Sequence, residues 1–120
     1  MWSANVDRSG ALLQLAFGKR VDVAQVTDCA QRVRQLFKDL QPGFTLLTDL
    51  SGLEEMDLAC EPIIGDLMDQ FDERGIRRVV RVVPEPRQDI GFGIMALFHY
   101  GENVQTITCT TLQEAQQHLP

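Results

Sequence analysis

The sequence predicts an α/β domain in which a mixed, mostly parallel sheet of four or five strands packs against about four helices. Two observations support this fold class. Short apolar runs alternate with longer stretches whose apolar residues recur every three or four positions, a pattern typical of strands joined by crossover helices. The runs are separated by brief turns rich in glycine, proline and acidic residues, with no stretch long enough to be a linker. We therefore expect residues 1–120 to form a single domain.

The first half of the chain predicts a hairpin, a long helix and an interior strand. Residues 11–17 are an apolar run after a glycine-containing turn, so residues 1–6 are interpreted as the partner strand of a hairpin. Pro42 and Gly43 end the helical pattern that follows. The apolar residues expected on the inner face of that helix are Val23, Val26, Ala30, Val33, Phe37 and Leu40. Residues 44–50 then predict an interior strand that is parallel to its neighbours.

A second helix is predicted around residues 63–71, with Gly75 as its stop signal. Its inner face is expected to consist of Ile63, Ile64, Leu67, Met68 and Phe71. Because proline lacks an N–H and fits only the first turn of a helix, Pro62 places the start of this helix near Cys60 or Glu61.

The strand–helix pattern then occurs twice more. Residues 76–83 predict a valine-rich strand, and Asp89 predicts the start of a third helix that ends near the sequence FHYG. The residues of that helix expected to face inward are Ile90, Ile94, Leu97 and Phe98. Residues 104–109 predict the last strand, and Thr111 with Glu114 matches a capping box that opens a terminal helix.

Charge and cysteine content argue against several classes of function. The net charge of -6 and the absence of a basic block argue against nucleic-acid binding, and weakly against an anionic membrane surface. No apolar stretch is long enough to span a membrane. Cys29, Cys60 and Cys109 are far apart and lack metal-ligand spacing, so we expect free thiols in a cytoplasmic protein that carries no metal and no cofactor.

Two further sets of residues have structural interpretations. The arginines around the 76–83 strand are expected at a solvated sheet edge or paired with surplus carboxylates, with an anion site as the alternative; they are Arg77, Arg78, Arg81 and Arg87. Trp2 is expected either to cover an edge of the sheet or to mark a homodimer contact.

The segment LTDLSGLEEMD, residues 47–57, resembles the central segment of STAS domains, the sulfate transporter and anti-sigma-factor antagonist family. In that family a strand ends in an Asp-Leu-Ser-Gly-like turn, and a hydrophobic–Asp pair then introduces a helix. The segment SGALLQLAFGKRVD is similar to the opening strand and turn of the family. The resemblance extends over nearly the whole chain and implies a STAS-like fold.

The resemblance also identifies a difference at the regulatory position of the family. In the anti-sigma-factor antagonists, the aspartate that matches Asp57 is followed by two serines and a glycine, and a partner kinase phosphorylates the second serine. The matching residues here are Leu58, Ala59 and Cys60. Because Leu58 and Ala59 have no hydroxyl group, the resemblance implies a STAS-like relative without this phosphorylation switch. Ser51 lies before the loop and does not replace the missing serine.

The candidate interaction surface is the loop between the 44–50 strand and the second helix. Its candidate residues are Ser51, Glu54, Glu55, Asp57, Cys60 and Glu61. Their carboxylates would suit a basic partner protein or a cation. The alternative is that acidic residues near a helix N-terminus only stabilise that helix, by roughly 0.3–1 kcal/mol per charge. Cys60 has two interpretations of its own, a thiol activated at a helix start and a small buried residue.

A second candidate site lies under the third helix. STAS-like domains are similar to lipid-binding domains of the Sec14 type, so the layer between this helix and the sheet is a possible pocket. Its candidate walls are Phe92, Met95, Phe98, His99 and Tyr100, although these side chains would serve equally as core. Gly91 and Gly93 are interpreted as close-packing positions rather than an anion site.

These observations favour a non-enzymatic, cytoplasmic interaction module that binds another protein, such as a kinase-like regulator or a member of a sigma-factor pathway. The alternative is a carrier of small molecules or lipids. An enzyme that depends on Cys60 is a third interpretation, for which the sequence supplies no nearby base.

Overall fold

The molecule consists of a central sheet with helices on both faces. The computed structural model describes the backbone of residues 1–120 and every side chain except those of residues 86 and 88–90. The strands are β1 (Trp2–Val6), β2 (Leu12–Phe17), β3 (Arg20–Val21), β4 (Thr45–Asp49), β5 (Glu55–Met56), β6 (Arg78–Val82) and β7 (Gln105–Cys109). The helices are α1 (Val23–Leu36), α2 (Glu61–Glu73), α3 (Pro86–His99) and α4 (Leu112–Gln116).

Five strands form one mixed sheet in the order β1-β2-β4-β6-β7. β1 and β2 are an antiparallel hairpin, whereas all the other neighbours in this sheet are parallel. β4 lies at the centre, so that Leu46 has Leu13 of β2 on one side and Val79 of β6 on the other. The predicted fold class, hairpin and interior parallel strand are therefore confirmed.

The larger layer of the core lies between the sheet and helices α1 and α2. Phe71 of α2 packs edge-to-face against Phe44 and Phe37, with ring centroids 6.1 and 6.0 Å away. Most of the predicted inner faces of the two helices are buried, namely Val26, Ala30, Val33 and Phe37 from the first and Leu67, Met68 and Phe71 from the second. Both helices thus present the apolar stripe that their sequence period predicts.

The smaller layer of the core lies on the opposite face, under α4. It contains Leu12, Leu47, Val80, Val82, Cys109 and Ala115. Adjacent residues of β4 therefore face different layers, with Leu46 under α1 and α2, and Leu47 toward α4. At the hairpin edge this face is polar, since Ser3, Asn5 and Gln14 are exposed.

Helix boundaries follow the capping signals of the sequence. α2 begins at Glu61 with Pro62 in its first turn, as expected. Gly75 follows this helix with a φ of 85°, a left-handed conformation that glycine adopts readily. The hydroxyl of Thr111 accepts from the N–H of Glu114 at 3.1 Å, which confirms the predicted cap of α4.

The start of α3 differs from the prediction. The helix begins at Pro86, with Glu85 in the cap position, rather than at Asp89. Proline favours the first turn of a helix because its fixed φ is already helical. The prediction that Asp89 caps this helix is therefore wrong, because Asp89 lies within its first turns. The side chain of Ile90 lies outside the described residues, so its interpretation as a core residue stays a prediction.

The face that α3 turns to solvent also corrects the prediction. Ile94, Leu97 and Phe98 were expected inside, but 51%, 81% and 82% of their surfaces are exposed. Ala96 is buried, and Tyr100, just after the helix, is half-buried. The reason is that apolar residues occur on every side of α3, so the period does not identify an inner face.

The glycines of α3 do not have the packing role predicted for them. A Cβ atom built on Gly91 or Gly93 would meet none of the described atoms within 4 Å, so neither marks a close approach to them. A glycine of α2, Gly65, does mark a close approach, since a Cβ there would lie 2.8 Å from Nε2 of His99. Among the described residues, no helix combines the length and apolar character required to cross a membrane.

Arg81 corrects the interpretation of the arginines as a solvated edge. It lies on the interior strand β6 and is only 3% exposed. Arg78 is half-buried and donates to Oε1 of Gln105 at 2.9 Å and to the carbonyl of His118 at 2.8 Å. Trp2, on the edge strand β1, packs against the larger layer of the core, so it covers a sheet edge as one interpretation predicted.

Candidate functional site

The candidate loop begins with a turn at the carboxyl end of β4. The carboxylate of Asp49 accepts from the N–H of Ser51 at 3.0 Å, and the N–H of Leu53 donates to the carbonyl of Leu50 at 3.0 Å. This is the local chemistry that makes Asp and Ser favourable at turns. Ser51 is exposed at the end of the strand, and Leu53 points back into the core.

The middle of the loop is fixed by a short parallel pairing that the sequence did not indicate. β5 pairs with β3, and the N–H groups of Glu54 and Glu55 both donate to the carbonyl of Lys19, at 2.8 and 3.0 Å. The N–H of Asp57 donates to the carbonyl of Val21 at 3.0 Å. The backbone N–H groups of these three residues are therefore all paired, and the carboxylates project from a fixed backbone.

The loop ends in a short 3-10 turn, Leu58–Cys60, that leads directly into α2. The carboxylate of Asp57 caps this turn by accepting from the N–H of Ala59 at 2.9 Å. Leu58 is 78% exposed, whereas Cys60 is fully buried. The turn thus presents a large apolar side chain to solvent, beside the exposed Ala59.

The four carboxylates of the loop do not share one role. Asp57 and Glu61 stand at helix starts, so the stabilisation of a helix N-terminus is sufficient to account for them. Glu54 and Glu55 lie away from a helix start and have no such explanation. The carboxylate of Glu55 is 3.8 Å from Arg20, but both side chains are largely exposed, so this pair contributes little to stability.

The loop and α3 together form a groove of about 190 Å³, called here the loop–α3 groove. Its floor is apolar and consists of Leu53, Met56, Ile64, Phe92 and Met95. Its exposed rim consists of Glu54, Asp57, Leu58 and Glu61. Residues of the candidate interaction surface therefore meet two of the candidate pocket walls in one site. Met56 and Leu58 of the loop and Ile64 of α2 were not predicted as site residues, because the groove that they line exists only where α3 packs beside the loop.

No family model matches this sequence, and no curated protein matches it. Solved structures do match in fold. An uncharacterised protein from Shewanella loihica with a SpoIIAA-like fold superposes with a TM-score of 0.75 at 14% identity, over 99% of this chain and 94% of that one. The unphosphorylated anti-sigma factor antagonist SpoIIAA gives 0.69 at 13% identity, over 98% and 96%. An anti-sigma factor antagonist from Mycobacterium paratuberculosis gives 0.62 at 16% identity, over 99% and 94%.

The chain has the SpoIIAA-like fold of STAS domains. This confirms the fold that the resemblance of residues 47–57 implied. At such low identities the likeness shows the fold alone, so the roles of individual residues in this STAS-like domain are argued from its own geometry.

Cys60 of the STAS-like domain is a core residue. Burial raises the pKa of its thiol, and the negative charges of Asp57 and Asp22 raise it further. A thiol with a raised pKa stays protonated at neutral pH and is a poor nucleophile. The interpretation of Cys60 as a buried residue is therefore favoured over that of an activated thiol.

His99 and Tyr100 face different parts of the interior. Nδ1 of His99 donates to Oδ1 of Asp69 at 2.7 Å, so the ring joins α3 to α2. Tyr100 lines a narrow cavity of about 60 Å³ between the sheet, α2 and α3, together with Phe92 and Arg81. Burial raises the pKa of Tyr100 well above its ordinary range. Phe98, another predicted wall, is 82% exposed and lies outside this cavity.

A cation is the alternative partner for the carboxylates of the loop. Within the described part of the chain, no three His, Cys, Asp or Glu side chains are arranged to hold a metal ion. The loop–α3 groove is thus best described as an apolar depression with an acidic border.

Proposed function

We propose that this protein is a non-enzymatic regulatory module that binds another protein through the loop–α3 groove and the start of α2. The observation that carries the proposal is the groove itself. Exposed Leu58 and the apolar floor offer contact area, while the acidic border supplies charge for orientation and specificity. Regulation in the anti-sigma-factor antagonists uses the corresponding loop, and two similar structures are anti-sigma factor antagonists by name.

We further propose that binding is not controlled by phosphorylation in the manner of that family. The residues at the matching positions, Leu58 and Ala59, are exposed but have no hydroxyl group. Control would instead come from the presence of the partner or from competition for the groove. The three free cysteines suit the reducing cytoplasm, which is where we place the protein.

The proposal excludes catalysis because the candidate groups are not positioned for it. The thiol of Cys60 is buried, and its pKa is raised by burial and by two carboxylates. The ring of His99, the only histidine among the candidates, is bonded to Asp69. A nucleophilic site needs a thiol and a base that reach each other and the substrate.

Affinity capture of a crosslinked partner tests the proposed surface. Tagged protein is crosslinked in cells of its source, and the captured chains are compared between wild type and Glu54→Lys with Glu55→Lys. We expect the double variant to lose the partner while its circular dichroism is unchanged, because these two exposed side chains are not required by a helix start. Crosslinks that map to residues 51–61 in wild type would show directly that the partner binds at the loop.

The matched control is Asp39→Lys with Glu73→Lys. Both residues are exposed, and they follow or end helices α1 and α2 at the opposite end of the sheet, away from the groove. This control changes the net charge equally and is compatible with the helix dipoles. If the control variant also lost the partner, the change in overall charge would account for the loss. If both variants kept the partner, the loop would be rejected as the binding surface.

A carrier of small apolar molecules is the second candidate, because a cavity does lie between α3 and the sheet. Its volume of about 60 Å³ is small, however. Ligand pockets typically measure about 300–1,000 Å³, so a lipid would fit only after α3 had moved away from the sheet. Native mass spectrometry separates the candidates: a co-purifying small molecule supports the carrier, and a bare chain mass supports the interaction module.

A further inference from the structure

We infer that the loop–α3 groove receives one large apolar side chain from its partner, and that lysine or arginine residues flank this side chain in the partner segment. The inference rests on the proposed function, since it requires the occupant to be a protein. It adds the chemistry by which that protein is recognised.

The size of the groove is the reason to expect one large apolar side chain from the partner. An engineered cavity of about 150 Å³ holds one benzene molecule. The groove of about 190 Å³ therefore matches a single leucine, methionine or phenylalanine side chain. It is smaller than the roughly 300–1,000 Å³ of typical ligand pockets. Its floor, which includes Leu53, Met56 and Phe92, offers dispersion contacts and no charged group.

The charges around the groove are the reason to expect lysine or arginine beside the apolar side chain of the partner. Glu54, Asp57 and Glu61 border it directly, and all three are exposed. Glu55 and Asp22 add negative charge along the neighbouring surface. Two cations lie near these carboxylates: Arg20, which approaches Glu55, and exposed Lys19, whose carbonyl accepts from the N–H groups of Glu54 and Glu55. An occupant with Lys or Arg beside its apolar anchor meets a complementary potential, which gives both specificity and faster association.

The same charges disfavour other occupants. A membrane surface rich in anionic lipids would be repelled by the acidic border, and an acidic or phosphorylated peptide would be repelled likewise. A second copy of this chain carries a net charge of -6 and would bring like charge to the border. A basic segment with an apolar anchor is the occupant that satisfies both the floor and the rim.

Two glycines of α3 provide a matched pair of variants. Gly91 lines the groove, and a Cβ built on it would meet no atom of the described residues within 4 Å, so the side chain of Gly91→Leu can enter the groove without disturbing the described core. Gly93 has the same free space but lines the surface between α3 and β7 instead. Gly93→Leu is therefore the control, because both variants replace glycine by a better helix former in one helix.

Selection from a library of random twelve-residue peptides displayed on phage tests the inference. The library is selected separately on wild type, Gly91→Leu and Gly93→Leu. We expect wild type and Gly93→Leu to enrich peptides with one Leu, Met or Phe between Lys or Arg residues. Synthetic copies of these peptides should bind Gly91→Leu at least tenfold more weakly in fluorescence polarisation. The affinity of these peptides for the wild type should also fall about tenfold between 0.05 and 0.5 M salt, because salt screens the attraction between exposed charges.

The outcomes separate the inference from the proposed function. Enriched peptides that lose binding to Glu54→Lys with Glu55→Lys, but are acidic or uncharged, would overturn the inference and leave the interaction surface in place. Binding that Gly91→Leu does not change would overturn the apolar anchor. Peptides insensitive to all of these variants, or no enrichment on wild type, would overturn the inference, while the crosslinking experiment decides the proposed function independently.

Discussion

Cys29, Cys60 and Cys109 have at most 1% of their surfaces exposed, although they lie far apart in the sequence. Burial raises the pKa of each thiol, to about 11 for Cys29, and carboxylates add to the effect at Cys60 and Cys109. The thiolate is the reactive form of cysteine. All three side chains are therefore shielded from reagents both by the surrounding core and by their protonation at neutral pH.

We predict that iodoacetamide modifies none of the three cysteines of the native protein at pH 7.5 at more than about a tenth of the rate for the urea-unfolded chain. At pH 9 native labelling should still be much slower than that of the unfolded chain, because a thiol with a pKa near 11, as at Cys29, is almost entirely protonated at that pH, and the pKa values of Cys60 and Cys109 are raised as well. Intact-mass spectrometry measures the rate of modification, and the difference between wild type and Cys60→Ala gives the part of that rate that is due to Cys60. Fast native labelling that Cys60→Ala removes would restore the activated-thiol interpretation.

At the scale of secondary-structure elements, the sequence predicts the helices and strands whose apolar residues recur with a clear period. It fails where that period is absent or the element is too short to show one. Helices α1 and α2 carry one apolar stripe each, and the structure buries these stripes. α3 is apolar on several sides, so the sequence did not reveal that Leu97 and Phe98 face solvent. β3 and β5 have two residues each, which is too few to show an alternation.

The contact between α2 and α3 depends on a close approach that can be tested energetically. The ring of His99 lies over Gly65 and is bonded to Asp69 on the same helix, while the N–H of Gly101 donates to Asp72 at 2.9 Å. A methyl group on Gly65 would lie 2.8 Å from Nε2 of His99 and would displace the ring. Gly65 thus permits the histidine to bond across the interface.

We predict that the effect of Gly65→Ala on stability depends on whether His99 is present. With His99 present, displacement of the ring offsets the gain in helix propensity, and stability should stay constant or fall. In His99→Ala, the same substitution should stabilise the protein by roughly 0.5–1 kcal/mol, the propensity difference between alanine and glycine. Urea unfolding of the four proteins gives the coupling energy, which we expect near 1 kcal/mol. An equal effect in both backgrounds would show that the close approach is not significant in solution.

At the scale of the whole molecule, the order of the strands predicts where the candidate loop lies but not what faces it. The acidic residues of the loop follow β4 directly in the sequence, so their position at the carboxyl end of the central strand was predictable. Phe92 and Met95 are about thirty residues further along the chain. Only the packing of α3 against α2 brings them to Glu54 and Leu58, and no local pattern encodes that packing.

The two layers of the core share the central strand, and this predicts cooperative unfolding. Leu46 faces the larger layer and Leu47 the smaller one, and each is 4% exposed. Leu46→Ala and Leu47→Ala should each lower the free energy of unfolding by about 2–5 kcal/mol. If the layers form one unit, both variants lower the urea midpoint without changing the m-value, because the same surface becomes exposed on unfolding.

Two probes measure this cooperativity in different parts of the molecule. The fluorescence of Trp2, the single tryptophan, reports on the edge strand β1, whereas far-UV circular dichroism is dominated by the helices on both faces. We expect the two transitions to coincide in wild type and in both variants, since β1 is paired along its length with β2 and packs under α1. A fluorescence transition at lower urea than the circular dichroism would show that the hairpin unfolds separately. A reduced m-value in Leu47→Ala alone would show that the layer under α4 is lost before the rest.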